Sequence, residues 1–319
     1  MKKRILVVGS LNMDMVIEMK NMPLIGETVL GDTLKYVPGG KGGNQAYAVG
    51  SLGGEGSILG CVGADAFGSR LVENIKACRV DVSAIHLDEK EPTGTAVIYV
   101  DERGNNSIVV APGANSSCDV ELLKERDELF RANDFMLFQM EIPAEAVFYG
   151  IRRAKEYGKT VILNPAPAPD HIPDDIWEKI DYLTPNETEV LKLCGETGSS
   201  VEHIKRSARY VLEKGVKNVV VTLGDKGVLF VNNNQEQLFE ARKVDAIDTT
   251  AAGDCFNGAF AVGLSKGMTV YEAIELANLA SSMAVQRKGA QSSIPKWEEV
   301  ENIWKESFLT QTSGRMSMM

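Results

Sequence analysis

Short, almost unbroken apolar runs alternate with amphipathic stretches along most of this 319-residue chain, and that alternation is the tightest constraint on its fold. Runs at residues 5–8, 58–62, 135–138, 161–163, 182–183, 219–222 and 228–231 read as strands. Having no polar face, such strands need cover on both sides, as in a parallel sheet between helices. The segments 67–77, 120–130, 144–157, 201–213 and 270–285 carry apolar residues at spacings of three and four and supply that cover. The expected fold class is α/β, with a mostly parallel central sheet between two helical layers.

Two pieces break the alternation, because residues 13–19, 29–37, 95–100 and 107–110 read as strands without intervening helices. The last two are joined by Asp101-Glu102-Arg103-Gly104-Asn105, whose Gly and Asn suit a hairpin loop that needs positive φ. These strands are expected to form a small sheet lying as a lid over one domain of residues 1–309, with the lid built from about residues 12–38 and 93–112. The open edge of such a sheet needs a cover, and a second subunit, making a homodimer, is the simplest one. Residues 310–319 are polar, Met-rich and expected to form a flexible tail.

Composition narrows the function classes. With 34 basic and 44 acidic side chains the net charge is −10, which argues against the clustered Lys and Arg of a nucleic-acid binder. Cys61, Cys78, Cys118, Cys194 and Cys255 are scattered and read as reduced thiols in or near the core. His86, His171 and His203 stand alone, so a soft metal site is not expected and any metal is held by oxygen. The MKKRILVVG start is basic then apolar, but Gly9, Asn12 and Asp14 interrupt it before a signal-peptide core develops. No run approaches the roughly 18 apolar residues of a membrane span, so the expected location is the cytoplasm.

Three segments carry chemistry. Asp248-Thr249-Thr250-Ala251-Ala252-Gly253-Asp254 opens a helix. Small residues there let a ligand approach the backbone, and unpaired N–H groups of Ala251, Ala252 and Gly253 suit an anion hole for a transferring phosphoryl group. Asp254 is then placed to take a proton from a hydroxyl, or merely caps the helix; the bare pattern admits both readings. Pro38-Gly39-Gly40-Lys41-Gly42-Gly43-Asn44-Gln45-Ala46 precedes the helical stretch 45–52. Gln45 stands where a dinucleotide fingerprint needs glycine, so this cluster reads as a hinge, a ligand contact or both. Gly158-Lys159-Thr160 fails as a phosphate-binding loop, since Arg153 replaces its first glycine and it runs from helix into strand. Finally, Thr184-Pro185-Asn186-Glu187-Thr188-Glu189 lies between a strand and a helix. Asn186 and Glu189 share a helix face and suit Mg²⁺ beside nucleotide phosphates, or else form an ordinary capping start.

With these segments in this order, the chain from about Arg4 to Pro295 resembles the PfkB-type carbohydrate kinase family. Gly9-Ser10-Leu11-Asn12-Met13-Asp14, Asn164-Pro165-Ala166-Pro167 and Arg287-Lys288-Gly289-Ala290-Gln291 narrow the resemblance to its ribokinase-like members. The resemblance implies transfer of the γ-phosphate of ATP to the 5-hydroxyl of D-ribose, with Asp254 as general base and the anion hole at Ala251, Ala252 and Gly253. It places the sugar on Asn12, Asp14, Gly40, Lys41, Gly42, Gly43, Asn44 and Glu141. The nucleotide falls on Asn186, Glu189, the loop Thr222-Leu223-Gly224-Asp225-Lys226-Gly227, Gly253, Asp254 and Asn278. That loop also reads as a plain hairpin, and Asn278 stands where the family often has a histidine near the adenine. The resemblance further implies activation by K⁺ beside the anion hole, at Asp248, Thr250, Ala284, Arg287, Gly289 and Ser293. Competing readings are a kinase for deoxyribose, a nucleoside such as adenosine or pseudouridine, or a hexose, and, in another class, a non-catalytic sugar sensor. A dehydrogenase is disfavoured by the missing glycine fingerprint.

Overall fold

The computed structural model describes residues 3–198 and 200–305. Its strands are β1 (Arg4–Val8), β2 (Asn12–Met19), β3 (Gly31–Gly39), β4 (Glu55–Gly63), β5 (Ile85–Asp88), β6 (Gly94–Val100), β7 (Asn106–Ala111), β8 (Phe135–Phe138), β9 (Thr160–Leu163), β10 (Tyr182–Leu183), β11 (Asn218–Thr222), β12 (Val228–Asn232) and β13 (Glu236–Phe239). Nine of them form one sheet in the order β13-β12-β11-β10-β9-β8-β1-β4-β5, parallel from β11 to β5, with β12 and β13 antiparallel at one edge.

Alternation along β1 shows how the sheet is covered. Ile5 and Val7 enter one apolar core with the helices Lys41–Ser51, Ala252–Ser265 and Val270–Ala284, while Leu6 and Val8 enter a second with Ala144–Glu156 and Val201–Glu213. All four side chains are fully buried, each worth about 1.5–3 kcal/mol relative to exposure. Such doubly buried strands are why the apolar runs announced this layer order. The two edge strands β5 and β13 were not anticipated. Ile85-His86-Leu87-Asp88 and Glu236–Phe239 mix polar side chains into partly exposed edges and so lack the continuous apolar signature. The expected helix over 120–130 is instead two, Val120–Glu125 and Asp127–Ala132, because Arg126 leaves helical geometry at φ −108°, ψ 26°.

The remaining strands form a separate sheet in the order β3-β2-β6-β7, with β2 and β6 parallel and the outer pairs antiparallel. Its outer strands are poorly covered: every residue of β7 is exposed. The Asp101–Asn105 loop joins β6 to β7 with Gly104 at φ 80°, as its composition demanded. The five cysteines are free, with Cys61, Cys118 and Cys255 buried. Among the described residues no helix is long and apolar enough to cross a membrane. The expected tail over 310–319 lies outside the described residues.

Where the helices Lys41–Ser51 and Ala252–Ser265 cross, Gly258 lets them touch. A Cβ there would lie 2.4 Å from the Ala48 methyl and 2.9 Å from the Gln45 carbonyl. That close crossing brings the first turns of both helices to one place.

Candidate active site

The polar side chains of interest gather at the carboxyl ends of the parallel strands, where open α/β sheets bind ligands. Ser10 follows β1, Gln139 and Glu141 follow β8, Asn164 follows β9, Thr184 and Asn186 follow β10, and Thr222 ends β11. Between β1 and β8 the chain order reverses, and the helix Lys41–Ser51 starts beside that gap.

Gly40 precedes this helix at φ 80°, a conformation that strains any residue with a Cβ. Oε2 of Glu141 accepts hydrogen bonds from the Lys41 backbone N–H (2.9 Å) and from Ser10 Oγ (2.6 Å). The carboxylate therefore anchors the helix start as well as facing the site. Asn12 is buried, and its Oδ1 accepts from Asn115 Nδ2 at 2.7 Å, while Asn115 Oδ1 accepts from the Leu11 N–H. Burial, then the neighbouring carboxylates of Glu141 and Asp254, push the Asp14 carboxyl up to about 7, against the opposing pull of Lys41. Burial would depress the Lys41 ammonium, but Asp254, Glu141, Glu189 and Asp14 outweigh it and hold the charge above its ordinary value. One half-buried cation thus sits among four carboxylates.

Asp254 lies in the first turn of the helix Ala252–Ser265, 6% exposed. Its Oδ2 accepts from Asn44 Nδ2 at 2.8 Å and its Oδ1 from Gln45 Nε2 at 2.9 Å. Burial pushes this carboxyl up, while Lys41 and the two amides pull it back. The cap residue Ala251 takes the left-handed conformation, φ 58°, an unusual strain for a non-glycine residue and one typical of functional turns. Ala252 turns its N–H onto the Thr249 carbonyl at 3.2 Å. The N–H groups of Ala251, Gly253 and Asp254 meet no protein acceptor among the described residues, so the donors expected at Ala251 and Gly253 are open, the one expected at Ala252 is not, and Asp254 adds another.

Beyond this turn opens a cleft of about 950 Å³, whose lining includes Asn186, Thr222, Gly224, Asp225, Gly227, Gly253 and Asn278. Of the expected loop, Leu223 instead enters the core and Lys226 donates to Glu187 Oε1 at 3.1 Å. Asn278 Nδ2 donates to the Glu240 carbonyl at 2.8 Å, which fixes its amide at the cleft wall. Asn186 and Glu189 form a reciprocal capping box at the start of the helix Glu187–Leu193. Burial raises the Glu189 carboxyl despite the Asn186 N–H and Lys41.

Asp248 bridges two loops, its Oδ1 accepting from the Thr250 N–H and its Oδ2 from the Gly289 N–H, each at 2.9 Å. These contacts hold its carboxyl below the ordinary range although burial opposes them. Thr250 and Gly289 are thereby brought together with Asp248. The Arg287 side chain turns away to pair with Glu299, the Ala284 carbonyl accepts the Arg287 N–H, and Ser293 Oγ donates to the Ala290 carbonyl.

Several residues of this constellation escaped the sequence reading. Asn115, in the short helical turn Gly113–Ser117, and Gln139, after β8, sit in no local pattern and meet Leu11, Asn12 and Gln45 only through the fold. The segment 241–246, with Arg242 and Lys243, lines the cleft although its sequence reads as an ordinary polar connection. Position after a parallel strand, as for Gln139 after β8, was the one available signal.

Residues 2–297 match the group described as "pfkB family carbohydrate kinase". Ribokinase of Staphylococcus aureus (strain COL) is 38% identical over 306 residues, covering 95% of this chain and 100% of that protein. Deoxyribokinase of Salmonella typhi is 34% identical over 295 residues, covering 92% and 96%. The structure of Arabidopsis thaliana ribokinase complexed with ribose and ATP superposes with a TM-score of 0.89 at 33% identity, covering 96% of this chain and 99% of that one. The chain belongs to the pfkB family of carbohydrate kinases.

Proposed function

We propose that this carbohydrate kinase transfers the γ-phosphoryl group of ATP to O5 of D-ribose, giving D-ribose 5-phosphate and ADP. The observation that carries the reading is Asp254: a buried carboxylate, gripped at both oxygens by amides, between a hydroxyl-matching cluster and a nucleotide-sized cleft. The similar Arabidopsis thaliana protein complexed with ribose and ATP supports the pair of substrates.

In this mechanism the 5-hydroxyl gives its proton to Asp254 as its oxygen attacks the γ-phosphorus and the bond to ADP breaks. Burial raises the carboxyl and so strengthens it as a base. The open N–H groups of the Ala251–Asp254 turn stabilise charge on the transferring phosphoryl oxygens. Asn12, Asp14, Asn44 and Glu141 accept and donate to the sugar hydroxyls, and Gly40, Lys41, Gly42 and Gly43 form the wall beside them. Thr222, Gly224, Asp225, Gly227 and Asn278 line the purine and phosphate path. Mg²⁺ suits the hard oxygens of Asn186 and Glu189, whose raised carboxyl is relieved by a cation, and when bound it neutralises phosphate charge. Asp248, already ionised and surrounded by backbone, suits a monovalent cation such as K⁺ with Thr250, Ala284, Arg287, Gly289 and Ser293. We assign the β2-β3-β6-β7 sheet as a lid and as the contact of a homodimer acting in the cytoplasm.

Similarity to a deoxyribokinase favours one second reading, phosphorylation of 2-deoxy-D-ribose. A site that hydrogen-bonds a hydroxyl rejects the analogue lacking it, by up to about 10⁴-fold, so a substrate panel separates the two. ADP production is measured with Mg·ATP and D-ribose, 2-deoxy-D-ribose or adenosine, with and without K⁺, for the parent and for Asp254→Asn. Ribose-dependent turnover that falls about 10²-fold or more in Asp254→Asn is expected. Turnover with deoxyribose or adenosine alone overturns the substrate, and sugar binding with no turnover leaves a sensor.

A further inference from the structure

We propose that Gln45 and Gln139 are positioning residues for this reaction, forming a relay of side-chain amides that aims hydrogen-bond donors at Asp254 and holds its carboxylate as an acceptor facing the substrate hydroxyl. The inference rests on Asp254 being the base. An ionised carboxylate only accepts, so Asn44 and Gln45 must both turn their NH₂ groups toward it and their carbonyls away. Each outward carbonyl then requires a donor behind it, and each has one. Gln139 Nε2 donates to Gln45 Oε1 at 2.6 Å, and Gln291 Nε2 donates to Asn44 Oδ1 at 3.2 Å. Gln291 Oε1 in turn accepts from Asn74 Nδ2. Both branches run donor to acceptor toward the carboxylate and end on it.

Gln45 is locked further, because its Nε2 also donates to Asn164 Oδ1 at 3.1 Å. Gln45 and Gln139 are both fully buried. The far end of the first branch carries the cost of this direction: Gln139 Oε1 is buried with no partner among the described residues. It lies against Gly9, where an added methyl would sit 1.9 Å away. Packing alone has no use for an amide with an unpaired carbonyl, since an apolar side chain would fill the same volume without that penalty. The demand comes through Gln45 from Asp254. Each carboxylate oxygen keeps a second lone pair, which leaves it free to take the substrate proton.

Lys41, Asp14, Glu141 and Glu189 face Asp254, and the buried Cys255 thiol adjoins it; all remain in the variants below. Burial raises the Asp254 carboxyl while Lys41 and the Asn44 and Gln45 amides lower it, so removing the Gln45 donor must raise it again. The test is the pH dependence of kcat and the KM for D-ribose in the full chain for parent, Gln45→Met, Gln139→Met and Asp254→Asn. Gln45→Met is expected to lower kcat at pH 7 about 10-fold, move the acid limb upward by about one pH unit, recover toward high pH and leave KM within about 2-fold. Gln139→Met, which touches neither Asp254 nor the sugar site, is expected to shift the limb in the same direction by less. If Gln45→Met does not fold, Gln139→Met alone decides. A profile superposable on the parent, a loss uniform across pH, or an effect confined to KM overturns the relay. Near-parental turnover in Asp254→Asn instead overturns the base itself; an inactive Asp254→Asn beside an unshifted Gln45→Met overturns the relay only.

Discussion

Asp14 sits where ionisation is expensive, since burial and the carboxylates of Glu141 and Asp254 push it from an ordinary 3.8 to about 7. The folded chain therefore holds this proton more tightly than the unfolded chain does. As pH rises from about 4 to about 7 the unfolded state loses the proton first, so Asp14 withdraws stability across that window. Replacing it with Asn removes the ionisation. In thermal melts of the free protein, Asp14→Asn should show a smaller decline in Tm between pH 5 and 7.5 than the parent, and equal declines would reject this assignment. At this scale the helix start around Asp254 was legible from its small residues and acidic first turn, though those residue types alone suit a cap as well as a base. Gln139 was not legible, because Gln-Met-Glu-Ile has no local pattern and its partners Gln45 and Gly9 lie far away in sequence.

The element that aligns the site is the pair of helices crossing at Gly258. A methyl group there meets Ala48 at 2.4 Å, inside contact distance, so the helices must separate. Gly258→Ala should cost about 1–3 kcal/mol, read as a lower midpoint in denaturant. It should also reduce turnover, because Gln45 and Asn44 ride on one helix and Asp254 on the other. Unchanged stability would show that the crossing relaxes freely. Most strands and helices were readable from periodicity because their burial is one-sided or two-sided in a regular way. The exceptions have two causes: β5 and β13 are edge strands with mixed burial, and the break at Arg126 falls within an unbroken amphipathic pattern.

At the scale of the whole molecule, the four-stranded sheet leaves Ile108, Val109 and Val110 exposed in succession on its edge strand, with Leu34 and Tyr36 exposed on the opposite edge. An apolar edge of this kind is open to pairing with another chain. The expected assembly is a dimer, so light scattering at micromolar concentration should give twice the 34.7 kDa chain mass. Val109→Asp should shift that mass toward the monomer while leaving the circular dichroism spectrum unchanged. A monomeric parent would remove the lid as an interface.

The sequence by itself determined the layer order, the separate sheet and the helix start that carries Asp254, because each depends on local periodicity or on residue types with narrow conformational uses. Only the tertiary structure decided which backbone N–H groups stay open beside Ala251, that Leu223 faces the core, that Arg287 turns to Glu299, and that two chains of amides end on one carboxylate. The chains of amides depend on contacts between residues tens to hundreds of positions apart, whose distances are set by how helices pack across the sheet and leave no mark on any single stretch of chain.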